Sequence, residues 1–240
     1  MEGRFLLSSN EDPAEGNIYS DKSALVLDWL LRKEKKREHF SLREVAKEAG
    51  VSIGLVQRVF GILVQKGFMR TEGVRTAKTF FFNKSKLLLE NWLEHYTIAK
   101  KCRMKTYHSG FTGRSELLKA LSQSKLGPQV VLALHSAAEA HGYKNTNLTT
   151  LELYMLDPTI ESKLVSALHL EPQERGYEVL LIEPYYKALL KQDMKSYNTI
   201  AVCPLLLTFL DLYHFPLRGQ EQAEFIAQRA SEIKRIYKNS

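Results

Sequence analysis

The sequence predicts an α+β protein: an N-terminal winged helix-turn-helix domain followed by a mixed α/β domain. Three observations predict it. The stretch Phe40–Lys66 (FSLREVAKEAGVSIGLVQRVFGILVQK) has helix-turn-helix spacing, and the basic excess of the chain surrounds that stretch. Beyond about Lys105, apolar runs of strand length alternate with helical patterns.

In chain order, residues 1–19 mix Ser, Asn, Glu, Asp, Pro and Gly and predict a mobile arm. Asp21 to about Arg37 predicts a first helix, with Leu25, Trp29 and Leu30 as its buried stripe and RKEKKRE as its solvated end. Ser41 then caps a second helix, and Glu44, three residues on, completes a capping box. Leu42, Val45 and Ala46 make that helix's apolar face. Gly50, inside Ala49-Gly50-Val51, supplies the positive φ of a tight turn. Ser52 caps the third helix, whose inward positions are Leu55, Val56, Val59, Phe60, Leu63 and Val64. Its outward positions, Ser52, Ile53, Gly54, Gln57, Arg58, Gly61 and Gln65, are polar and short of bulk, which suits close approach to a duplex.

Phe68–Thr71 predicts a short strand, Glu72–Ala77 a loop and Lys78–Phe82 a returning strand, which together form a wing. In Phe80-Phe81-Phe82 alternate aromatics are expected to face the core. The assigned DNA contacts are Ser41, Arg43, Ser52, Gln57, Arg58, Arg75 and Lys78. Gln57 and Arg58 should read bases, Arg43 should contact phosphates, and Arg75 and Lys78 should contact phosphates or a minor groove. The resulting division is 1–19 arm, 20–86 winged helix-turn-helix, 87–104 linker helix and 105–240 α/β domain. The linker helix has Leu88, Trp92, Tyr96 and Ala99 as its stripe and can pair with another copy, so monomer and homodimer both stay open. KKCRMK (Lys100–Lys105) is either a phosphate contact or the polar side of a following strand.

In the second half, Ser115–Ser122 reads as helical, and Val130–Leu134 as a strand or a helix start. Ser136–His141 reads as an Ala-rich helix closed by Gly142. Leu148–Leu156 is a strand stopped by Asp157-Pro158, Glu161–Leu168 a helix, and Tyr177–Ile182 a strand. Tyr185–Lys191 is helical, Thr199–Val202 a strand, and Pro204–Tyr213 a helix opened by Pro. Arg218–Tyr237 predicts one long amphipathic helix.

Charge and composition narrow the function classes. Residues 1–19 carry one basic and four acidic side chains, residues 20–110 nineteen and nine, and residues 111–240 fourteen of each. The net +7 therefore arises in and just after the helix-turn-helix, as expected where counterions are displaced from DNA. Two distant cysteines, Cys102 and Cys203, fit a reducing cytoplasm and no metal-ligand pattern. No apolar run approaches the roughly 20 residues of a membrane span, and the start has no signal-peptide pattern.

An enzyme reading finds no support. A nucleotidyltransferase needs a Gly-Ser turn and converging carboxylates, but Val130–Leu134 is followed by His135-Ser136-Ala137-Ala138, and Asp157 stands alone before a Pro. The histidines lack metal-binding spacing. Ser109–Gly113 (SGFTG) lacks the Lys-Ser/Thr ending of a phosphate loop. No catalytic residue, cofactor or metal is assigned.

Three stretches of the second half carry a resemblance: LALHSAAEAHGY (Leu132–Tyr143), TLELYMLD (Thr150–Asp157) and CPLLLTFLDLYHFPLRGQEQAEFIAQR (Cys203–Arg229). They resemble the AbiEi-type antitoxin family of bacterial abortive-infection, or type IV toxin–antitoxin, systems. The likeness covers most of the chain, and the last stretch is its most specific part. It implies a winged helix joined to an α/β antitoxin domain, autorepression through double-stranded DNA, and neutralisation of a nucleotidyltransferase-like toxin with no stable complex required. In physical terms the same residues are small side chains for close helix packing, a helix with one polar position at Asp211, and an Arg218-Gly219 turn. The competing class is a one-component regulator whose α/β domain senses a small molecule or a protein partner, without a toxin.

Overall fold

A computed structural model describes residues 17–33, 39–73, 78–192 and 194–238. Residues 1–16 of the expected arm, the solvated end of the first helix and the tip of the wing with Arg75 lie outside them. The arm reading does not extend to its last residues, because Ile18 and Tyr19 are buried.

Helix α1 (Asp21–Lys33) is apolar on nearly every side, and Ala24, Val26, Leu27, Leu30 and Leu31 are fully enclosed. A helix of that kind needs neighbours all round. It has them in α2 (Leu42–Ala49), α3 (Ile53–Gln65), α4 (Ser85–His95) and α9 (Lys187–Leu190). Trp29 Nε1 donates to Glu48 Oε2 at 3.0 Å, which ties α1 to α2.

The helix-turn-helix forms as its punctuation predicts. Ser41 Oγ accepts the Glu44 N–H and Ser52 Oγ accepts the Leu55 N–H, both at 3.2 Å, so each serine satisfies a helix-end donor. Gly50 sits at φ 67°, and the Val51 N–H reaches Ala46 O at 3.0 Å. Val45, Ala46, Val56, Val59, Phe60 and Leu63 fill the angle between the helices.

Strands β1 (Met69–Glu72) and β2 (Thr79–Phe82) pair antiparallel, with Met69 opposite Phe82 and Thr71 opposite Phe80. Phe80 and Phe82 are buried and Phe81 is half-exposed, the alternation expected of the strand. Phe40 bridges to Phe80 on the far side and packs edge-on against Trp29, so the wing is anchored to α1.

The predicted linker helix is two elements, α4 and the short α5 (Ile98–Lys101), broken at Tyr96-Thr97 in extended backbone. The break has a cause. The Tyr96 hydroxyl is drawn into the second half, where it donates to Asp211 Oδ1 at 2.7 Å, and Ala99 is left exposed rather than in the stripe. The Lys100–Lys105 stretch then runs into β3 (Arg103–Ser109), whose alternate residues Tyr107 and Ser109 are buried.

Seven strands form the second sheet, in the order β6-β3-β7-β5-β4-β9-β8. They are β4 (Val130–Leu132), β5 (Leu151–Met155), β6 (Leu170–Pro172), β7 (Val179–Glu183), β8 (Lys195–Tyr197) and β9 (Ile200–Val202), besides β3. The β5–β7 and β4–β9 pairs are parallel and the rest antiparallel. The central strands β5 and β7 are buried almost throughout, as strands of a sheet covered on both faces should be, with Glu152 the one charged residue inside β5.

Helices α6 (Arg114–Gln123) and α8 (Glu161–Ala167) pack together, and α7 (Leu134–Ala140), α10 (Leu205–Tyr213) and α11 (Gly219–Arg229) form a second group. The predicted long terminal helix is divided. Ala230, at ψ 114° and fully buried, separates α11 from α12 (Ser231–Lys238), which lies against α4.

Candidate nucleic-acid interface

Helix α3 presents two chemically different sides. Val56, Val59, Phe60 and Leu63 are buried, whereas Ser52, Ile53, Gly54, Gln57, Arg58, Gly61 and Gln65 are exposed. A methyl group placed on Gly54 or Gly61 would meet no protein atom within 4 Å. Packing inside the chain therefore does not require these glycines, although each costs about 1 kcal/mol of helix propensity relative to Ala. Ile53, at 46% exposure, adds an apolar contact at the helix start.

Of the assigned contacts, Gln57 and Arg58 lie next to one another on this open side, and Ser52 lies at its N-terminal end. Ser41 and Arg43 are exposed at the start of α2, and Lys78 is exposed immediately before β2. Both serine oxygens already accept a helix-end N–H, which leaves each hydroxyl proton free to donate.

Sequence reasoning missed the start of α1 and Arg70. Ser20, Asp21 and Lys22, at the start of α1, line one recess with Ser52, Gly54, Leu55 and Arg58. No local pattern could have found this, since only tertiary packing brings the α1 end beside α3. Arg70 on β1 stands 5.6 Å above the Phe81 ring, with His39 at the same ring, so the wing carries a second cation held by an aromatic face.

Two buried polar clusters occupy the second half, and both read as architecture. Asp211, fully enclosed on α10, accepts hydroxyl protons from Tyr96 and Tyr154 at 2.7 Å each. Burial pushes its carboxyl up to about 7. The same burial lifts the thiol of Cys102 to about 12, and no disulfide joins it to Cys203. Glu152 on β5 accepts the Ser136 N–H at 2.9 Å, together with the Ser136 and Thr150 hydroxyls. Arg114 lies 3.8 Å away and also ion-pairs with Glu139. Both carboxylate oxygens of Glu152 are thus engaged, as a buried charge demands.

Three histidines are tied into the fold through one ring nitrogen each, and the buried Nδ1 of His135 makes no hydrogen bond among the described residues. His135, His141 and His214 donate to the carbonyls of Leu217, Cys203 and Leu93, and burial lowers the pKa of the first two. Asp157 caps the turn Pro158–Ile160 by accepting the Thr159 N–H at 2.9 Å. Among the described residues no three His, Cys, Asp or Glu are grouped to hold a metal, and no helix is long and apolar enough to cross a membrane.

Searches of curated proteins and of solved structures give no match. A family model described as a transcriptional regulator, AbiEi antitoxin of a type IV toxin–antitoxin system, matches residues 82–232. The match runs from the end of β2 into α12 and takes in the Asp211 and Glu152 clusters, while α1 to α3 precede it. The matched length is well over half of the chain, and the protein belongs to this family of AbiEi-type antitoxins and transcriptional regulators.

Proposed function

We propose that the chain is the DNA-binding autorepressor and antitoxin of a type IV toxin–antitoxin operon. Residues 20–86 bind double-stranded DNA with α3 in the major groove. The second half neutralises a nucleotidyltransferase-like toxin without catalysis of its own. The observation that carries the DNA part is the open side of α3, where two glycines required by no neighbour flank Gln57 and Arg58.

That reading has a direct test in mobility shift of the full chain on the DNA upstream of its own gene. Arg58→Ala should cost about 1–3 kcal/mol and relax base preference at one position, whereas Lys78→Ala should weaken specific and random duplex alike. Affinity should fall steeply as salt rises. Equal loss on both DNAs for Arg58→Ala would reduce that residue to a backbone contact.

Gly61 separates binding from folding. Gly61→Ala should stabilise the fold by about 1 kcal/mol, because a helix interior gains the better helix former and the added methyl meets nothing. Gly61→Gln should remain folded yet bind DNA at least about tenfold more weakly, since its side chain fills the approach to the groove. Unchanged affinity for Gly61→Gln would move the interface off α3.

Neutralisation is proposed to act through protein or small-molecule contact, because residues 111–240 are electrically balanced and exert no net pull on nucleic acid. In co-expression with the neighbouring toxin gene, Arg58→Ala should lose repression but keep growth rescue. Rescue that vanishes with Arg58→Ala would leave transcriptional repression as the sole protection.

A further inference from the structure

A cleft of about 530 Å³ opens where α1 meets the second half of the chain, within the size range of small-molecule sites. Three cations line it from three separate elements: Arg32 on α1, Lys195 on β8 and Arg235 on α12. Two carboxylates face them. Asp28 is already engaged by Arg32, and Glu232 makes no ion pair with a described residue. Arg235 is anchored by donating to Arg32 O at 2.9 Å and makes no ion pair with a described residue. Lys195 also makes no ion pair with a described residue and is exposed. His141 Nε2 donates to Cys203 O, and burial favours the neutral ring, so Nδ1 is an acceptor. Pro204 and Leu205 give part of the wall a half-buried apolar surface, and Gln192 and Ser231 add neutral polar groups.

We propose that this cleft binds a small phosphate-bearing ligand of about nucleotide size. The phosphate lies between Lys195 and Arg235, beside the Arg32–Asp28 pair, and the less polar body lies on Pro204 and Leu205. Charge-assisted hydrogen bonds from a guanidinium and an ammonium suit phosphate oxygens. Such a ligand clamps α1 to α12 and to the β8 edge. A duplex held by α3 does not reach this place. The start of α1 lies beside α3, but Arg32 is roughly 16 Å further along the helix axis.

The test uses the full chain and three probes at low ionic strength: inorganic phosphate, pyrophosphate and AMP. Isothermal titration is expected to give saturable binding of at least one. Lys195→Ala, at an exposed position, should raise its Kd about tenfold or more. Lys119→Ala, at an exposed position on α6 that lines a different cleft, should leave it unchanged. With the bound probe, hydrogen exchange should slow at residues 28–32 and 231–235. Absence of saturable binding by all three probes overturns the proposal. So does binding indifferent to Lys195→Ala, or slowed exchange confined to α3. Because no DNA is present, the outcome is independent of the operator reading.

Discussion

Gly219→Ala is expected to destabilise the chain by about 3 kcal/mol, the upper end of what overpacking costs. A Cβ at Gly219 would stand 2.4 Å from Leu212 O and 2.8 Å from Phe215 Cβ. The first of these is backbone and cannot rotate away. Relief would require moving the α10–α11 corner, where Leu217 and Arg218 already hold left-handed φ values of 59° and 65°. That corner also carries the Leu217 carbonyl that accepts from His135, so a shift would reach α7. For a chain of this length the loss corresponds to a fall of about 6–12 °C in Tm. Urea unfolding of Gly219→Ala beside Gly61→Ala measures it, with the two expected to move in opposite directions. A Gly219→Ala protein within about 0.5 kcal/mol of wild type would refute the packing argument.

Stability should also fall between about pH 4 and pH 7 because of Asp211. Its pKa is 3.8 when unperturbed and about 7 in the folded chain, raised by burial against the opposing pull of the Tyr96 and Tyr154 hydroxyls. A carboxyl with a raised folded pKa contributes fully below the unfolded value. The contribution is lost as pH climbs through the folded value and is gone above it. The window is therefore about 4 to 7, and the loss is roughly 4 kcal/mol at 1.36 kcal/mol per pH unit. Asp211→Asn has no such slope. Denaturant unfolding of both proteins across this range should give a difference in favour of Asn that grows with pH and then levels off. A difference that stays flat from pH 4 to 8 would mean the carboxyl is not the buried acid described. At low pH the Asn variant should be no more stable than wild type, since a protonated Asp satisfies the same two hydroxyls.

Local chemistry decided which parts of this fold were legible in the sequence. Ser41, Gly50 and Ser52 act on neighbours three or four residues away, so capping and turn rules placed α2 and α3 within a residue or two of their ends. The Phe80–Phe82 alternation likewise needed only the pleat. Where a distant partner sets the structure, the sequence was silent. Tyr96 ends α4 because Asp211, more than a hundred residues away, takes its hydroxyl. Short strands β6 and β8 exist because β3 and β9 offer ladder positions, and neither contains an apolar run of its own. The α11–α12 corner falls at Ala230, with no Gly or Pro to announce it.

The candidate interface divides in the same way. Gln57, Arg58, Gly54 and Gly61 were readable from helical spacing, and the structure places all four on the open side of α3. Lys22 and Arg70 were not, because one arrives through helix packing and the other through the wing's ring contact. In the second half, Asp211 was recognisable as a polar position in apolar surroundings, but its partners come from other elements, and Glu152 and its partners emerge only from the fold.

Trp92 Nε1 donates to the Tyr186 hydroxyl at 2.8 Å, and that hydroxyl donates to Tyr19 O at 2.9 Å. This relay, enclosed together with most of α1, makes each half of the chain a wall of the other's interior. Truncation anywhere between residues 86 and 105 would strip cover from Trp92, Tyr96 or α1, and a cut at 105 would fall inside β3. The resulting fragments would carry newly bared apolar area of the kind that drives aggregation. Deletion series would then score loss of solubility as loss of function. Genetic dissection of the two activities belongs to single surface substitutions in an intact chain, and a duplicated gene could divide the labour only by eroding one face while keeping the shared interior whole.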